Sequence, residues 1–149
     1  MSAQVLVTGQ TDARAHFAVG DSGAAVVTQK KILVIDDEIE FGRLVGRVAR
    51  ELGHEVEITT NATQFMESIV RFKPDLIVMD MVMPGTEGIE LIRWLTKAQY
   101  KSRVIVATGY NPEYAKMAAL MAKAEGILEV STLNKPVRLV DLREALNAD

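Results

Sequence analysis

Cysteine is absent from all 149 residues. That lack excludes disulfide frameworks, thiolate zinc sites, iron–sulfur clusters and thiol nucleophiles together, and it fits a reducing compartment. Histidine is scarce, with only His16 and His54, so multi-histidine metal centres are excluded too. Positive charge is not in surplus: 17 Lys and Arg face 20 Asp and Glu, for a net charge of -3. A polyanion finds no basic field here, and direct nucleic-acid binding is not expected. No stretch reaches the ~18 apolar residues of a membrane span, and no basic segment followed by an apolar run opens the chain. A cytoplasmic protein without a membrane partner is expected. What is present is an ordinary globular composition, 48% hydrophobic and 25% charged, in a length that suits one domain with a short appendage.

Residues 1–30 mix small and polar side chains with no sustained period of 2 or 3.6, which reads as a flexible N-terminal extension, in part of vector origin, without a core role. Gly20-Asp21-Ser22-Gly23 echoes a serine-protease nucleophile string, but a chain of this length lacks the two barrels and the distant histidine of such an enzyme. The domain itself is expected over 31–149. It opens on Ile32-Leu33-Val34-Ile35, a short β-branched run of the kind found in parallel strands covered on both faces. Leu76-Ile77-Val78-Met79, Val104-Ile105-Val106-Ala107 and Ile127 to Leu133 repeat the signal, and Glu55 to Thr59 reads as an edge strand.

Helical spacing fills the gaps. Phe41, Leu44, Val45, Val48 and Leu52 share one face, and Gly53 suits the position just past that helix. Asn61 with Gln64 three residues later is a capping-box pattern before Phe65, Ile69 and Phe72. Ile89, Ile92 and Leu95 mark a third helix. Asn111-Pro112 opens a fourth, whose stripe of Tyr114, Met117, Ala118 and Met121 is expected in the core. Leu139, Leu142 and Leu146 mark a fifth. Five strands alternating with five helices specify a doubly wound α/β fold with a parallel sheet.

In such sheets chemistry collects beyond the C-terminal strand ends. Here those ends carry Asp36-Asp37-Glu38, Asp80, Thr108 and Lys135-Pro136. Asp37 or Glu38 alone could merely complement a helix N-terminus. Asp80, closing an apolar strand, is harder to dismiss, because neighbouring buried carboxylates need an offsetting cation or proton. Carboxylates without His or Cys favour a hard ion, Mg²⁺ above Zn²⁺, and Lys135 adds a second positive charge.

The strings KKILVIDDE, DLIVMDMVMPGTEGIEL, ATG and LNKP, in that order over residues 31–147, about four-fifths of the chain, closely resemble the receiver domain of two-component response regulators. The resemblance implies a flavodoxin-like strand order 2-1-3-4-5. It makes Asp80 the phosphoacceptor, Asp37 a direct ligand of Mg²⁺ (or Mn²⁺), Asp36 a ligand largely through water, and Val82 a backbone-carbonyl ligand. Thr108 and Lys135 would meet the phosphoryl oxygens, and the Lys135-Pro136 peptide is expected to be cis. Implied partners are a sensor histidine kinase or a histidine phosphotransfer protein, a C-terminal output domain beyond this chain, and a second copy as a homodimer. A signalling module that assists its own phosphorylation and dephosphorylation is expected, not a turnover enzyme.

Three departures qualify the resemblance. Thr132 occupies the usual aromatic switch position, three residues before Lys135. Val82 and Tyr110 stand where side chains influence the access of hydrolytic water. From Thr108 to Lys135 the chain runs about one helical turn, ~4 residues, longer than is typical, and that segment resembles receivers fused to EAL-type cyclic-di-GMP phosphodiesterase domains. The alternatives are a haloacid-dehalogenase-type phosphatase, which wants Asp-x-Asp where this chain has Asp36-Asp37-Glu38, and a phosphorylation-independent interaction module. Retention of Asp80, Asp37, Thr108 and Lys135 together speaks against the latter.

Overall fold

The computed structural model describes residues 28–83, 86–100, 103–109, 112–124, 126 and 129–148. The expected extension up to residue 27 therefore lies outside the described residues, as do Pro84, Gly85, Tyr110 and Asn111. In chain order the elements are β1 (Lys31–Ile35), α1 (Ile39–Glu51), β2 (Glu55–Thr59), α2 (Ala62–Phe72), β3 (Leu76–Met79), β4 (Val82–Met83), β5 (Thr86–Glu87), α3 (Gly88–Lys97), β6 (Arg103–Thr108), α4 (Pro112–Ala124), β7 (Glu129–Asn134) and α5 (Leu139–Asn147). β4 and β5 form a small antiparallel pair. The remaining five strands make one parallel sheet in the order β2-β1-β3-β6-β7, the expected order once the two short strands are set aside.

Alternation along β1 divides the core. Leu33 and Ile35 face a cluster with Phe65 of α2, Leu91, Ile92 and Leu95 of α3 and Ala122 of α4. Ile32 and Val34 face Val45, Val48 and Ala49 of α1 and Leu142 and Leu146 of α5. Helices thus cover both faces, and each fully buried Leu or Ile contributes about 1.5–3 kcal/mol of transfer free energy. α1 lies close on β2: a Cβ on Gly42 would sit 2.7 Å from Cγ2 of Ile58.

Local signals set the helix ends. Gly53, at φ +92, follows the Leu52 cap of α1, as its freedom from a Cβ allows. Asn61 Oδ1 accepts from the Gln64 amide at 2.9 Å, while Gln64 Oε1 returns to the amide of Thr60 rather than that of Asn61. The stripe of α4 expected in the core does not face inward at its two methionines, and the side chains of Tyr114 and Ala118 lie outside the described residues. Met117 is 50% exposed and Met121 only half-buried, whereas Ala122 is fully buried. Small apolar residues surround this part of α4, so helical period alone could not choose which stripe faces inward. Leu139, in the first turn of α5, also remains 47% exposed. Lys30, the last residue of the expected extension, is bonded into the fold: its amide donates to His54 Nδ1, and its ammonium to the carbonyls of Leu146 and Ala148. Among the described residues no helix is long and apolar enough to cross a membrane.

Candidate functional site

Register brings the strand ends together. Ile35 pairs with Met79, so Asp36 and Asp80 leave neighbouring strands at one level. Thr108 pairs with Asn134, so Lys135 emerges beside it. β1 has β2 on one side and β3 on the other, which makes the β1/β3 boundary the point where the chain changes its winding direction and opens a crevice. A cavity of about 670 Å³ lies there, lined by Asp37, Glu38, Phe41, Asp80, Thr108 and Lys135 among others.

Asp36 is 1% exposed. Its amide donates to the Thr59 carbonyl at 3.2 Å, and its Oδ1 accepts from the Glu38 amide at 2.8 Å. Asp80 is buried, with its amide on the Ile35 carbonyl, and the Val82 amide reaches Asp80 Oδ1 at 3.4 Å. Asp37 is exposed. One carboxylate oxygen from each of Asp36, Asp37 and Asp80 lies within 4.8 Å of the others.

Lys135 spans this group. Its ammonium donates to Asp36 Oδ2 at 2.6 Å and to Glu38 Oε1 at 3.0 Å, and stands 3.7 Å from Asp80 Oδ2. The Phe41 ring centroid lies 4.4 Å from the same nitrogen. The Lys135–Pro136 peptide is cis, and the Lys135 amide donates to the Thr108 carbonyl. Gly109 lets the exit of β6 pass this lysine: a Cβ there would lie 3.2 Å from Lys135 Cβ.

Burial lifts the Asp36 carboxyl above its usual 3.8, with the charge of Asp80 adding to it and Lys135 opposing it. Burial likewise lifts Asp80, with Asp37 adding and Lys135 opposing. Burial works against the Lys135 ammonium, yet its hydrogen bonds to Asp36 and Glu38 outweigh that, and its pKa is raised above 10.5. The cluster of Asp36, Asp37 and Asp80, two of them reluctant to ionise beside a single lysine, fits a hard divalent ion held by oxygen ligands.

Of the residues singled out in the sequence, Asp36, Asp37, Asp80, Thr108 and Lys135 converge on one rim. Val82 is half-buried and lines the cavity. Thr132 is exposed in β7, and Tyr110 lies outside the described residues. Two participants escape a sequence reading. Glu38, readable as helix-dipole company, holds Lys135. Phe41, readable as part of the α1 core stripe, presents its ring to the same ammonium, and no local pattern in the sequence marks that contact.

A family model described as "Response regulator receiver domain" matches residues 32–147. The sporulation initiation phosphotransferase F of Bacillus subtilis is 25% identical over 117 residues, covering 78% of this chain and 90% of that protein. The DNA-binding transcriptional regulator NtrC of Azospirillum brasilense is 33% identical over 122 residues, which span 79% of this chain and 24% of the relative. Among solved structures, the chemotaxis response regulator CheY4 of Vibrio cholerae superposes with a TM-score of 0.67 at 25% identity, covering 80% of this chain and 97% of that one.

Proposed function

The chain belongs to the response regulator receiver family of two-component systems, and on that premise we propose that Asp80 is the residue that takes the phosphoryl group. The observation that supports this reading is the position of Asp80: a buried carboxylate at the end of β3, within 4.8 Å of the carboxylates of Asp36 and Asp37 and 3.7 Å from the Lys135 ammonium.

Phosphoryl transfer is mostly positioning and charge stabilisation. An Asp80 oxygen forms the bond to phosphorus as the bond from phosphorus to the donor imidazole breaks, and the departing imidazole keeps the electron pair. Lys135 offsets negative charge on the transferred oxygens, and the Thr108 hydroxyl donates to one of them. Asp37 and Asp80 would hold Mg²⁺ directly, Asp36 largely through water and Val82 through its carbonyl; Mn²⁺ suits the same oxygen donors. When bound, the ion supplies charge neutralisation to the phosphoryl oxygens. Val82 offers no polar side chain to orient attacking water, which favours a long-lived acyl phosphate, with Tyr110 as a second modulator. With Thr132 in place of an aromatic ring, the response to phosphorylation runs from Thr108 through α4 and its exit.

The unit to which we assign this is residues 31–149, in the cytoplasm, with Lys30 bonded to its edge and the residues before it read from the sequence as an extension. The donor is a sensor histidine kinase or a histidine phosphotransfer protein. The product is a changed surface for a partner, an output domain of which the EAL type is the one suggested by the segment before Lys135, or a second copy. The test is incubation with acetyl phosphate and Mg²⁺, followed by intact mass. The wild type is expected to gain one phosphoryl group and Asp80→Asn none; equal gain by both overturns the assignment.

A further inference from the structure

We infer that Phe41 is a positioning residue for Lys135: its ring takes the ammonium against its face and sets where the lysine waits beside Asp80. The inference rests on Lys135 acting on the phosphoryl group as proposed above. A lysine has a flexible four-carbon stem and a compact charge. Here that charge has three carboxylates to choose from, at 2.6 Å (Asp36), 3.0 Å (Glu38) and 3.7 Å (Asp80). Carboxylates alone draw the ammonium toward whichever is nearest, and Asp36 already holds it at the closest distance. The ring, 4.4 Å from the nitrogen, lies within the ~6 Å over which an aromatic face attracts a cation.

The ring is itself fixed. Phe41 stands in the first turn of α1, its amide donating to the Glu38 carbonyl at 3.0 Å, and its side chain is half-buried against the core on the α1/α5 face. It also lines the cavity that Asp80 and Lys135 share. Lys135 is therefore bounded by a rigid apolar wall on one side and by carboxylates on the other, with 15% of its side chain exposed. A partly desolvated cation facing a ring is worth enough to change the population of one lysine rotamer about fivefold.

A plain packing role is the competing account, and substitutions separate the two. Phe41→Leu keeps apolar bulk but loses the π face; Phe41→Tyr keeps the face. In Phe41→Leu the rate of labelling by acetyl phosphate is expected to fall about fivefold, and the ring-current shift of the Lys135 ε-methylene protons is expected to vanish, while Mg²⁺ affinity stays within about twofold because the ring supplies no oxygen ligand. Phe41→Tyr restores rate and shift together. Should Phe41→Leu fail to fold, Phe41→Met carries the same comparison. A wild type that labels, with Phe41→Leu labelling at its rate, overturns this inference alone, as does loss of rate in Phe41→Leu and Phe41→Tyr alike. A wild type that takes no phosphoryl group overturns the functional reading and this inference with it.

Discussion

Lys135 and Asp36 are 99 residues apart in the chain and 2.6 Å apart between ammonium and carboxylate. The contact joins the two ends of the sheet's chemistry, the exit of β1 and the exit of β7, across the end of β3 where Asp80 stands. One cation thus serves a group of carboxylates that burial makes costly to ionise. That imbalance is a liability for stability, and it makes the site receptive to a further positive charge.

The liability is measurable. The raised pKa of Asp80 means that at neutral pH the fold strains against its charge, so Asp80→Asn is expected to melt a few degrees above wild type in chelator. The folded state binds the Asp80 proton at higher pH than the unfolded chain does. The destabilisation therefore grows as pH rises from the unfolded value near 3.8 through the folded one, and the advantage of Asp80→Asn should shrink on acidification. Mg²⁺ should also narrow the gap by stabilising only the wild type. Thermal unfolding of both proteins across pH decides it; an Asp80→Asn variant less stable than wild type at neutral pH would contradict the account.

Metal binding and phosphoryl recognition should separate. Asp37→Ala is expected to lose most of the Mg²⁺ affinity, at least about tenfold, because the oxygen proposed as a direct ligand is removed. Thr108→Ala should keep that affinity, since the role proposed for its hydroxyl is toward the phosphoryl group and not toward the metal. Calorimetric titration with Mg²⁺ reads both, and the reverse order would show the roles to be misassigned.

Backbone proximity at Gly88 supports the geometry of Asp80. A Cβ there would lie 2.8 Å from Met81 Cα and 2.9 Å from the Asp80 carbonyl oxygen, and backbone atoms cannot yield as a flexible side chain does. Gly88→Ala is expected to cost about 1–3 kcal/mol and to slow labelling of Asp80. Gly42→Ala, which meets the side chain of Ile58, should leave labelling intact. Chemical denaturation alongside a labelling time course tests the pair.

His54 makes an acid limit at the other end of the sheet. Its Nδ1 accepts from the Lys30 amide at 3.1 Å, which leaves the proton on Nε2 for Asn147 Oδ1 at 3.0 Å. Burial and the charge of Lys30 hold the ring below its usual 6.5 against the opposing Asn147 bond. Its contribution is therefore complete above pH 6.5 and lost as pH falls through the folded pKa. Urea unfolding from about pH 7 to about pH 5 should lose stability more steeply in wild type than in His54→Gln; parallel slopes would show that His54 does not set the limit.

Much of this was legible beforehand, for physical reasons that differ by element. β1, β3 and β6 are buried on both faces along residues 32–35, 76–79 and 104–107, so these residues are apolar and the run itself announces the strand. Gly53 and Asn61 mark helix ends because few residues suit a left-handed turn or a capping oxygen. Strand order followed from the resemblance, and register then brought Asp36, Asp80, Thr108 and Lys135 into one place. α4 was misread because its apolar residues are spread around the helix, and only packing turns Ala122 inward and Met117 outward. The pairing of β4 with β5 depends on a contact between two-residue strands that no periodicity reveals. Glu38 and Phe41 read as a dipole partner and a core residue, since nothing local shows that the lysine just past β7 will meet them both.

The most direct test of the central claim is to locate the acyl phosphate chemically. Borohydride reduces an aspartyl phosphate to homoserine, so protein treated with acetyl phosphate and Mg²⁺, reduced, digested and sequenced by tandem mass spectrometry should carry homoserine at position 80 and aspartate at positions 36 and 37. Homoserine at either of those positions, or at none of the three in protein that has gained a phosphoryl group, would contradict it.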